Sequence, residues 1–359
     1  MEHFSAIRDK LDAYGLDAML LTCEANRFYA SGFRSTGTDG AALVTKDETY
    51  YWTDSRYIEA ARQQVKGASV EMTEPGRGYA VLLSEAAARH GLRTVGFEDT
   101  YMTVAELKDY SRRVAGVEFK PAAALLTELR MVKGPEELAA LVEAQRIAER
   151  ALAEIYNEIR IGVTEREIAA RLTYLMLHYG AENTSFDPIV ASGANGSKPH
   201  AVPGGKPFAA GEFVTMDFGC ICGGYCSDMT RTVAVGYVTE EMERVYRTVL
   251  DAQRAGIAAA RAGVPGCDVH NAAAKVISDA GYGAYFGHGF GHGVGVEIHE
   301  APRASTTYDK PLPAGAVISA EPGIYLPGRF GVRIEDVIVI REGGCENIHL
   351  ASKELLILS

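Results

Sequence analysis

Residues 206–219 read KPFAAGEFVTMDFG, and residues 310–323 read KPLPAGAVISAEPG. Their Lys, Pro, Ala and Gly positions coincide at a constant offset of 104 residues (310 − 206), and the apolar positions match as well. Upstream of each stretch, residues 159–172 and 260–276 repeat a pattern of helix, Gly-Val turn and helix. This repeat predicts two halves that pack as pseudo-twofold partners, with their strands in one curved antiparallel sheet.

The residues before the repeat predict a separate, smaller domain, since 359 residues are too many for one average domain and fit two. Gly134-Pro135 followed by two glutamates is a helix-start signal, and we place the boundary just before it, giving domains 1–130 and 131–359. The first domain should be a small α/β unit with a mixed sheet. Its patterns predict a helix at 3–14, strands at 18–23, 69–72 and 94–97, and a hairpin over 40–54.

Composition excludes several classes of function. The chain is 47% hydrophobic and has a formal net charge of −11 without a run of Lys or Arg, which argues against nucleic acid and anionic membrane partners. The chain has no run of about 18 apolar residues, so the sequence predicts no membrane span. The first 15 residues read as an amphipathic helix rather than a signal peptide, so we expect a cytoplasmic location.

The six cysteines are too few in a chain of this length for a disulfide framework. Cys220, Cys222 and Cys226 lack the second ligand pair that a zinc knuckle needs. We interpret them as small apolar residues on a hairpin, with a labile thiol pair as the alternative.

Four carboxylates and one imidazole carry the strongest chemical signal: Asp217, Asp228, His292, Glu321 and Glu335. Each lies in a Gly-flanked or strand-like segment. In the repeat alignment Asp217 falls on Glu321, and the next strand of each half brings Asp228 and Glu335. Taken singly, each carboxylate could be a turn residue or half of an ion pair. Gathered together they would repel one another unless two divalent metal ions neutralised them, which predicts a hydrolase.

Strand alternation decides which neighbours join this cluster. Asp217 shares a face with Thr215, and Asp228 shares a face with Thr230. In VRIEDVIV, Glu335 shares a face with Arg333, whereas Asp336 points the opposite way. The alternation therefore selects Glu335 as the ligand and makes Arg333 its expected hydrogen-bonding partner.

These motifs resemble the pita-bread metallopeptidases, namely methionine aminopeptidase, Xaa-Pro aminopeptidase and prolidase. The order Asp, Asp, His, Glu, Glu matches within DFG, SDMTRT, GHGVG, EPGIY and RIED. The N-terminal part, with its TDSRY stretch, is similar to that of the proline-specific members and of creatinase. The resemblance implies an α+β protein with a C-terminal pita-bread catalytic domain of duplicated helix-helix-strand units and an N-terminal α/β creatinase-like domain.

The resemblance also implies roles. Asp217 would bind one metal, His292 and Glu321 the other, and Asp228 and Glu335 would bridge both. Mn²⁺ suits the oxygen-rich donors, with Co²⁺, Fe²⁺ or Zn²⁺ as substitutes. Glu321 would also shuttle a proton. The other catalytic candidates are three histidines that would donate to the substrate carbonyl and two residues beside the ligands: His200, His288, His299, Tyr325 and Arg333. Alternatively, His288 is a spacer in a glycine-rich loop.

The implied substrates are small peptides with proline in the second position. Arg303, four residues after His299, would bind the substrate's C-terminal carboxylate, which favours an Xaa-Pro dipeptidase (prolidase). The alternative is an Xaa-Pro aminopeptidase acting on longer peptides. A creatinase-like amidinohydrolase or a non-catalytic pita-bread protein is less favoured, because such proteins lose metal ligands. The resemblance further implies a homodimer, and Arg56 and Tyr57 are weaker candidates for the site.

Overall fold

A six-stranded mixed sheet forms the centre of the first of two units. The units are Met1–Arg130 and Met131–Ser359. The computed structural model describes residues 2–359. The strand order is β4-β3-β2-β1-β5-β6. The strands are β1 Ala18–Leu21, β2 Gly40–Thr45, β3 Thr49–Thr53, β4 Ser69–Met72, β5 Thr94–Phe97 and β6 Glu118–Pro121. The helices are α1 Phe4–Lys10, α2 Glu24–Ser31, α3 Ile58–Gln64, α4 Tyr79–His90, α5 Val104–Arg113 and α6 Ala123–Met131.

Both faces of this sheet are apolar, because its central strands alternate between two cores. On β2, Ala42 and Val44 join one hydrophobic cluster, whereas Ala41 and Leu43 join the other. Helices can therefore cover both faces, which confirms the predicted α/β unit with a mixed sheet. The predicted first helix is shorter than expected, because it ends at Lys10 and the chain then turns.

The second unit contains four α-helices and fourteen strands within the described residues. The helices are α7 Pro135–Ile155, α8 Glu165–His178, α9 Glu240–Ala259 and α10 Gly266–Asp279. The strands are β7 Asn183–Thr184, β8 Ile189–Ser192, β9 Glu212–Phe218, β10 Cys220–Cys222, β11 Tyr225–Cys226, β12 Met229–Val235, β13 Gly291–Gly293, β14 Glu300–Ala304, β15 Val317–Ala320, β16 Gly323–Leu326, β17 Phe330–Arg333, β18 Asp336–Arg341, β19 Gly344–Asn347 and β20 Ile357–Leu358.

The internal repeat is present in the backbone of this unit. The amide of Gly162 donates to the carbonyl of Phe208 at 3.0 Å, and in the second half the amide of Gly263 donates to that of Leu312 at 2.9 Å. Both glycines adopt positive φ angles, 93° and 82°, which residues with a Cβ rarely adopt. The duplicated helix-helix-strand organisation predicted from the sequence is confirmed.

The expectation of one antiparallel sheet is wrong. The first half forms the sheet β20-β12-β9-β8, in which β20 is parallel to β12, and the second half forms β14-β13-β15-β18-β19. The two sheets meet where β12 and β18 begin, through a bond from the Glu335 amide to the Thr230 carbonyl at 3.1 Å. The Arg231 guanidinium donates to the carbonyls of both residues, at 2.5 and 2.9 Å, and so replaces further backbone pairing there.

Cys220 and Cys222 lie on β10, and Cys226 lies on the antiparallel strand β11. The Cys220 thiol is buried and donates to the Ala144 carbonyl at 3.2 Å, and burial raises its pKa to about 12. These facts agree with the interpretation of an apolar hairpin. Among residues 2–359, no helix is both long and apolar enough to cross a membrane.

Candidate metal centre

Four of the five predicted ligands, the carboxylates, come from equivalent places in the two halves, and His292 comes from the second half alone. Asp217 is the penultimate residue of β9, and Glu321 directly follows the matching strand β15. Asp228 directly precedes β12, and Glu335 directly precedes β18. His292 is the central residue of β13. All five line one cavity of about 560 Å³.

The side chains of these residues approach one another closely. His292 Nε2 lies 3.2 Å from Glu321 Oε1 and 3.5 Å from Asp228 Oδ2. Asp228, His292 and Glu335 each present a donor atom, and these atoms lie within 4.8 Å of one another. His292 Nδ1 lies 3.1 Å from the Gly293 carbonyl and donates a hydrogen bond to it, which leaves Nε2 facing the carboxylates.

The cluster is electrostatically unbalanced. Burial raises the pKa of Asp228 well above its usual range, and the neighbouring charge of Asp217 adds to the effect. Burial also raises the pKa of Glu335 well above its usual range, and the neighbouring charge of Asp228 is the next largest cause. Burial opposes the charges of Glu321 and His292 too, but their mutual hydrogen bond holds the pKa of Glu321 to about 2 and raises that of His292 to about 9.

Two oxygen atoms in the cluster lack hydrogen bonds. Within residues 2–359, Asp217 Oδ1 and Glu335 Oε1 are buried and have no hydrogen-bond partner. Buried polar atoms are otherwise nearly always paired, and buried carboxylates without cations are strongly disfavoured. The donor set of four carboxylates and one imidazole therefore fits divalent metal ions.

Arg333 joins the cluster through a different partner from the one predicted. Its Nη2 pairs with Asp217 Oδ2 at 2.6 Å, and it reaches Glu335 only through Thr230, whose hydroxyl accepts from Arg333 Nε at 3.1 Å and donates to Glu335 at 2.7 Å. The expected direct contact with Glu335 is absent because VRIEDVIV is not one strand. β17 ends at Arg333, and β18 begins at Asp336 in another sheet.

Asp336 lies on the opposite side of the chain from Glu335, in a separate polar network. Its carboxylate accepts hydrogen bonds from Arg231 at 2.8 Å, Asn347 at 2.7 Å and Lys353 at 2.5 Å. Sequence reasoning missed this network behind the ligands. The alternation that turns Asp336 away from the cavity does not indicate which distant side chains meet it.

Tyr325 links two of the candidate catalytic residues. Its hydroxyl accepts from Arg333 Nη1 at 2.8 Å and lies 3.0 Å from His288 Nε2. Burial raises the pKa of Tyr325 to about 12, so the hydroxyl keeps its proton and can donate a hydrogen bond to His288 Nε2. His288 Nδ1 in turn lies 2.8 Å from the Gly289 carbonyl. With both ring nitrogens engaged, His288 could donate to a substrate only after giving up one of these partners.

The remaining substrate-side candidates also line the cavity: His200, His299 and Arg303. The His299 ring packs against that of His292, with centroids 4.3 Å apart. Arg303 lies opposite His292 in the pairing of β13 with β14 and is exposed. Among the described residues, neither the His200 ring nor the Arg303 guanidinium has a hydrogen-bond partner. Both are therefore available to a ligand.

The weaker candidates of the first unit have partners within that unit. Arg56 Nη2 lies 2.6 Å from both Asp39 Oδ1 and Asp54 Oδ2. The Tyr57 hydroxyl hydrogen-bonds Thr36. These contacts favour a packing role for both residues.

Comparisons with known proteins point to one family. The family model for metallopeptidase family M24 matches residues 139–342, and the model for the creatinase/prolidase N-terminal domain matches residues 4–132. An uncharacterized peptidase of Bacillus subtilis is 40% identical over 98% of this chain and 99% of its own length. A solved Xaa-Pro dipeptidase from Bacillus anthracis is 39% identical, with a TM-score of 0.93 over 99% of both chains. A solved X-Pro aminopeptidase from Thermotoga maritima is 35% identical, with a TM-score of 0.91 over 98% of this chain and 100% of that one.

Proposed function

Because the chain belongs to metallopeptidase family M24 and is therefore a peptidase, we propose that it hydrolyses the Xaa-Pro bond of dipeptides with two divalent metal ions as cofactors. The observation that carries the proposal is the convergence of the five predicted ligands on one cavity, with two buried carboxylate oxygens that lack a hydrogen-bond partner within residues 2–359. The similarity to solved proteins named for Xaa-Pro cleavage supports the choice of bond.

The proposed ligand assignment follows the two halves. Asp217 would hold one metal ion, His292 and Glu321 would hold the other, and Asp228 and Glu335 would contribute to both. When bound, the ions would polarise a peptide carbonyl and lower the pKa of a water molecule. We propose Mn²⁺, since the donors are mostly carboxylate oxygens, with Co²⁺, Fe²⁺ or Zn²⁺ as substitutes.

The other side chains act on the substrate and on protons. Glu321, which accepts a hydrogen bond from the Ser319 hydroxyl at 3.1 Å, would carry a proton to the leaving nitrogen of proline. His200 and His299 would donate hydrogen bonds to the carbonyl oxygen as negative charge develops on it. Arg333 and Tyr325 would hold Asp217 and His288 in place.

The shape and charge of the cavity support proline specificity. The imide nitrogen of Xaa-Pro carries no N–H, so an apolar wall can accept the ring without leaving a donor unpaired. Apolar side chains line this cavity beside the ligands: Phe186, Ile189, Val202 and Ile298. Arg303 supplies a cation that has no hydrogen-bond or ion-pair partner among residues 2–359, which suits the free carboxylate of a dipeptide.

The test separates dipeptides from longer substrates. In Arg303→Ala, we expect KM for Ala-Pro to rise at least tenfold, since a charge-assisted hydrogen bond contributes roughly 1.5–3 kcal/mol. KM for Ala-Pro-Ala should change little, and Arg303→Lys should restore part of the affinity. Equal effects on both peptides would reject the dipeptidase assignment.

The second candidate is an Xaa-Pro aminopeptidase, which the similarity to the Thermotoga maritima enzyme favours. Release of proline from Ala-Pro and of alanine from Ala-Pro-Ala, measured with Mn²⁺, decides between the two. Asp228→Asn is the control for metal dependence. A metal-loaded protein that cleaves neither peptide would contradict proline specificity. A protein that binds no metal would favour the creatinase-like or non-catalytic alternative.

Two further properties are proposals. The family resemblance favours a homodimer, which sedimentation equilibrium would test. We also propose a cytoplasmic location, because buried reduced thiols such as Cys220 are typical of reducing compartments. Fractionation of cells that express the protein would test the location.

A further inference from the structure

The carboxylate of Glu165 is buried, lies outside the ligand cluster and accepts four hydrogen bonds. Glu165, the first residue of α8, is 1% exposed. Its Oε1 accepts from the amide and the hydroxyl of Ser192 at 2.7 and 2.9 Å. Its Oε2 accepts from Asn195 Nδ2 and from the amide of Gly204, both at 2.9 Å. Nothing in the proposed chemistry uses this carboxylate.

Those four donors bracket the segment that carries His200. Ser192 ends β8, a 3₁₀ turn over Gly193–Ser197 follows, and Gly204 closes the segment. Side-chain hydrogen bonds that reach the segment from other parts of the described residues are longer, such as Lys206 Nζ to the Ser192 hydroxyl at 3.1 Å and Arg333 Nη1 to the Pro199 carbonyl at 3.4 Å. Glu165 thus fixes both ends of a loop whose centre, His200, is exposed in the cavity.

The second half of the repeat shows what Glu165 replaces. The amide of Arg166 donates to the Gly204 carbonyl at 3.0 Å, and the equivalent amide of Cys267 donates to the Tyr308 carbonyl at 2.8 Å. The same helix start thus meets the same returning chain in both halves. The strands differ, however, because β13 is covered by β14 whereas β8 is the edge strand of its sheet.

The residue at the helix start differs accordingly. Glu165 is equivalent to Gly266, since the bridges Thr164–Pro207 and Pro265–Pro311 correspond. A Cβ at Gly266 would lie 2.1 Å from the Arg303 carbonyl, so backbone fills this place in the second half. In the first half no strand of the described residues fills this place, and the Glu165 carboxylate binds the amides of Ser192 and Gly204 instead. An edge without a partner strand must satisfy its N–H groups in another way.

We propose that Glu165 is the positioning residue of His200, holding the 193–204 segment so that this histidine faces the bound peptide. The inference rests on the proposed function for its catalytic consequence. A shift of about 1 Å in a catalytic group can cost about a hundredfold in rate. Loss of Glu165 should therefore lower kcat, while KM and the metal affinity remain nearly unchanged because Glu165 contacts no proposed metal ligand.

The experiment compares Glu165→Gln with Glu167→Gln in the full-length protein. Glu167 lies in the same first turn and accepts from the amide of Thr164 at 2.8 Å, but it does not contact the segment. In Glu165→Gln the side-chain NH₂ group would face hydrogen-bond donors, so at least part of the contact to the segment is lost. We expect kcat on Ala-Pro to fall about ten- to a hundredfold, with KM within about threefold of the wild-type value. Glu167→Gln should keep wild-type kinetics. Asn195→Ala removes one of the four donors and should show a smaller effect of the same kind, should Glu165→Gln fold poorly.

Two readouts distinguish positioning from a general structural role. In a His200→Ala background, Glu165→Gln should lower kcat by no more than about twofold further, because both changes remove the same interaction. Hydrogen exchange should accelerate in the peptide covering 193–204 and remain unchanged in β12. Fully multiplicative kinetics, or kinetics equal to those of Glu167→Gln, would overturn the proposal. If the wild type cleaves no Xaa-Pro peptide, the proposed function fails, and unchanged exchange over 193–204 would still refute the positioning role by itself.

Discussion

Two adjacent carboxylates, Glu335 and Asp336, should respond in opposite ways when each is replaced by its amide. Asp336 is fully buried and balances the cations of Arg231 and Lys353, at 2.8 and 2.5 Å. Glu335 is also buried but faces other carboxylates, and its Oε1 has no hydrogen-bond partner within residues 2–359. Asp336→Asn therefore removes a compensating charge, whereas Glu335→Gln removes an uncompensated one.

The magnitudes follow from these surroundings. Breaking a buried ion pair by removing one partner costs about 3–5 kcal/mol. We expect the lower end, about 3 kcal/mol, because Arg231 keeps its bonds to the carbonyls of Thr230, Glu335, Ala351 and Ser352. In a unit of this size each kcal/mol shifts Tm by about 2–4 °C, so Asp336→Asn should lower the Tm of the metal-free protein by about 6–12 °C.

Glu335→Gln should leave the Tm of the metal-free protein unchanged or higher, because it relieves repulsion with Asp228. What it loses is stabilisation by metal. A ligand at a hundred times its Kd contributes about 2.7 kcal/mol. If one ion is lost, the rise in Tm on adding metal should be smaller than in the wild type by about 5–11 °C.

Calorimetry of chelated and Mn²⁺-loaded protein, together with metal analysis by mass spectrometry, measures both effects. Asp336→Asn should keep two metal ions per chain, and Glu335→Gln should bind fewer. If Asp336→Asn lost metal without losing stability in the chelated state, the choice of Glu335 over Asp336 by strand alternation would be refuted.

Three further changes test separate parts of the network. Burial lowers the pKa of His349 to about 3. The neutral imidazole therefore contributes its full stabilisation above the unfolded pKa of about 6.5, and this contribution is lost as the pH falls towards 3. In His349→Gln, the urea midpoint of unfolding should depend less on pH across that range. Tyr325→Phe removes the hydroxyl beside His288 and should lower kcat about tenfold in steady-state kinetics, with metal content unchanged. A Cβ at Gly291 would lie 1.9 Å from the Ser319 carbonyl. Gly291→Ala should therefore lower the free energy of unfolding in denaturant by about 1–3 kcal/mol and weaken metal binding through the adjacent strand. An unaltered midpoint of unfolding would contradict this packing.

The sequence repeat predicted more than the composition did. A constant offset means that equivalent residues occupy equivalent places in each half, which is why Asp217 and Glu321 both lie at the ends of matching strands. Glycines such as Gly162 and Gly263 added a local requirement, because a positive φ at both positions sets the same turn before each second helix. Duplicated local patterns could therefore be extended to tertiary positions.

Side-chain partners were harder to predict, because alternation specifies a direction only within one strand. The chain passes from β17 to β18 between Arg333 and Glu335, so the guanidinium turns to Asp217 instead. Glu165 was missed for a related reason. The spacing from Thr164 to Glu167 is that of a capping box, which leaves Glu165 looking like an ordinary solvent-exposed acid in the first turn. Its burial depends on a loop that returns 39 residues later.

The unequal loops of the two halves, rather than the shared skeleton, distinguish the two sides of the cavity. The skeleton supplies paired carboxylates from equivalent strands, so it explains a metal centre but not a directional substrate site. The first half adds the His200 segment held by Glu165, and the second half adds β14 with Arg303. Each addition uses the same place beside the helix start, one with a carboxylate and the other with backbone, so divergence at that place gives different surroundings to the two sides of a cavity whose carboxylates come from equivalent strands.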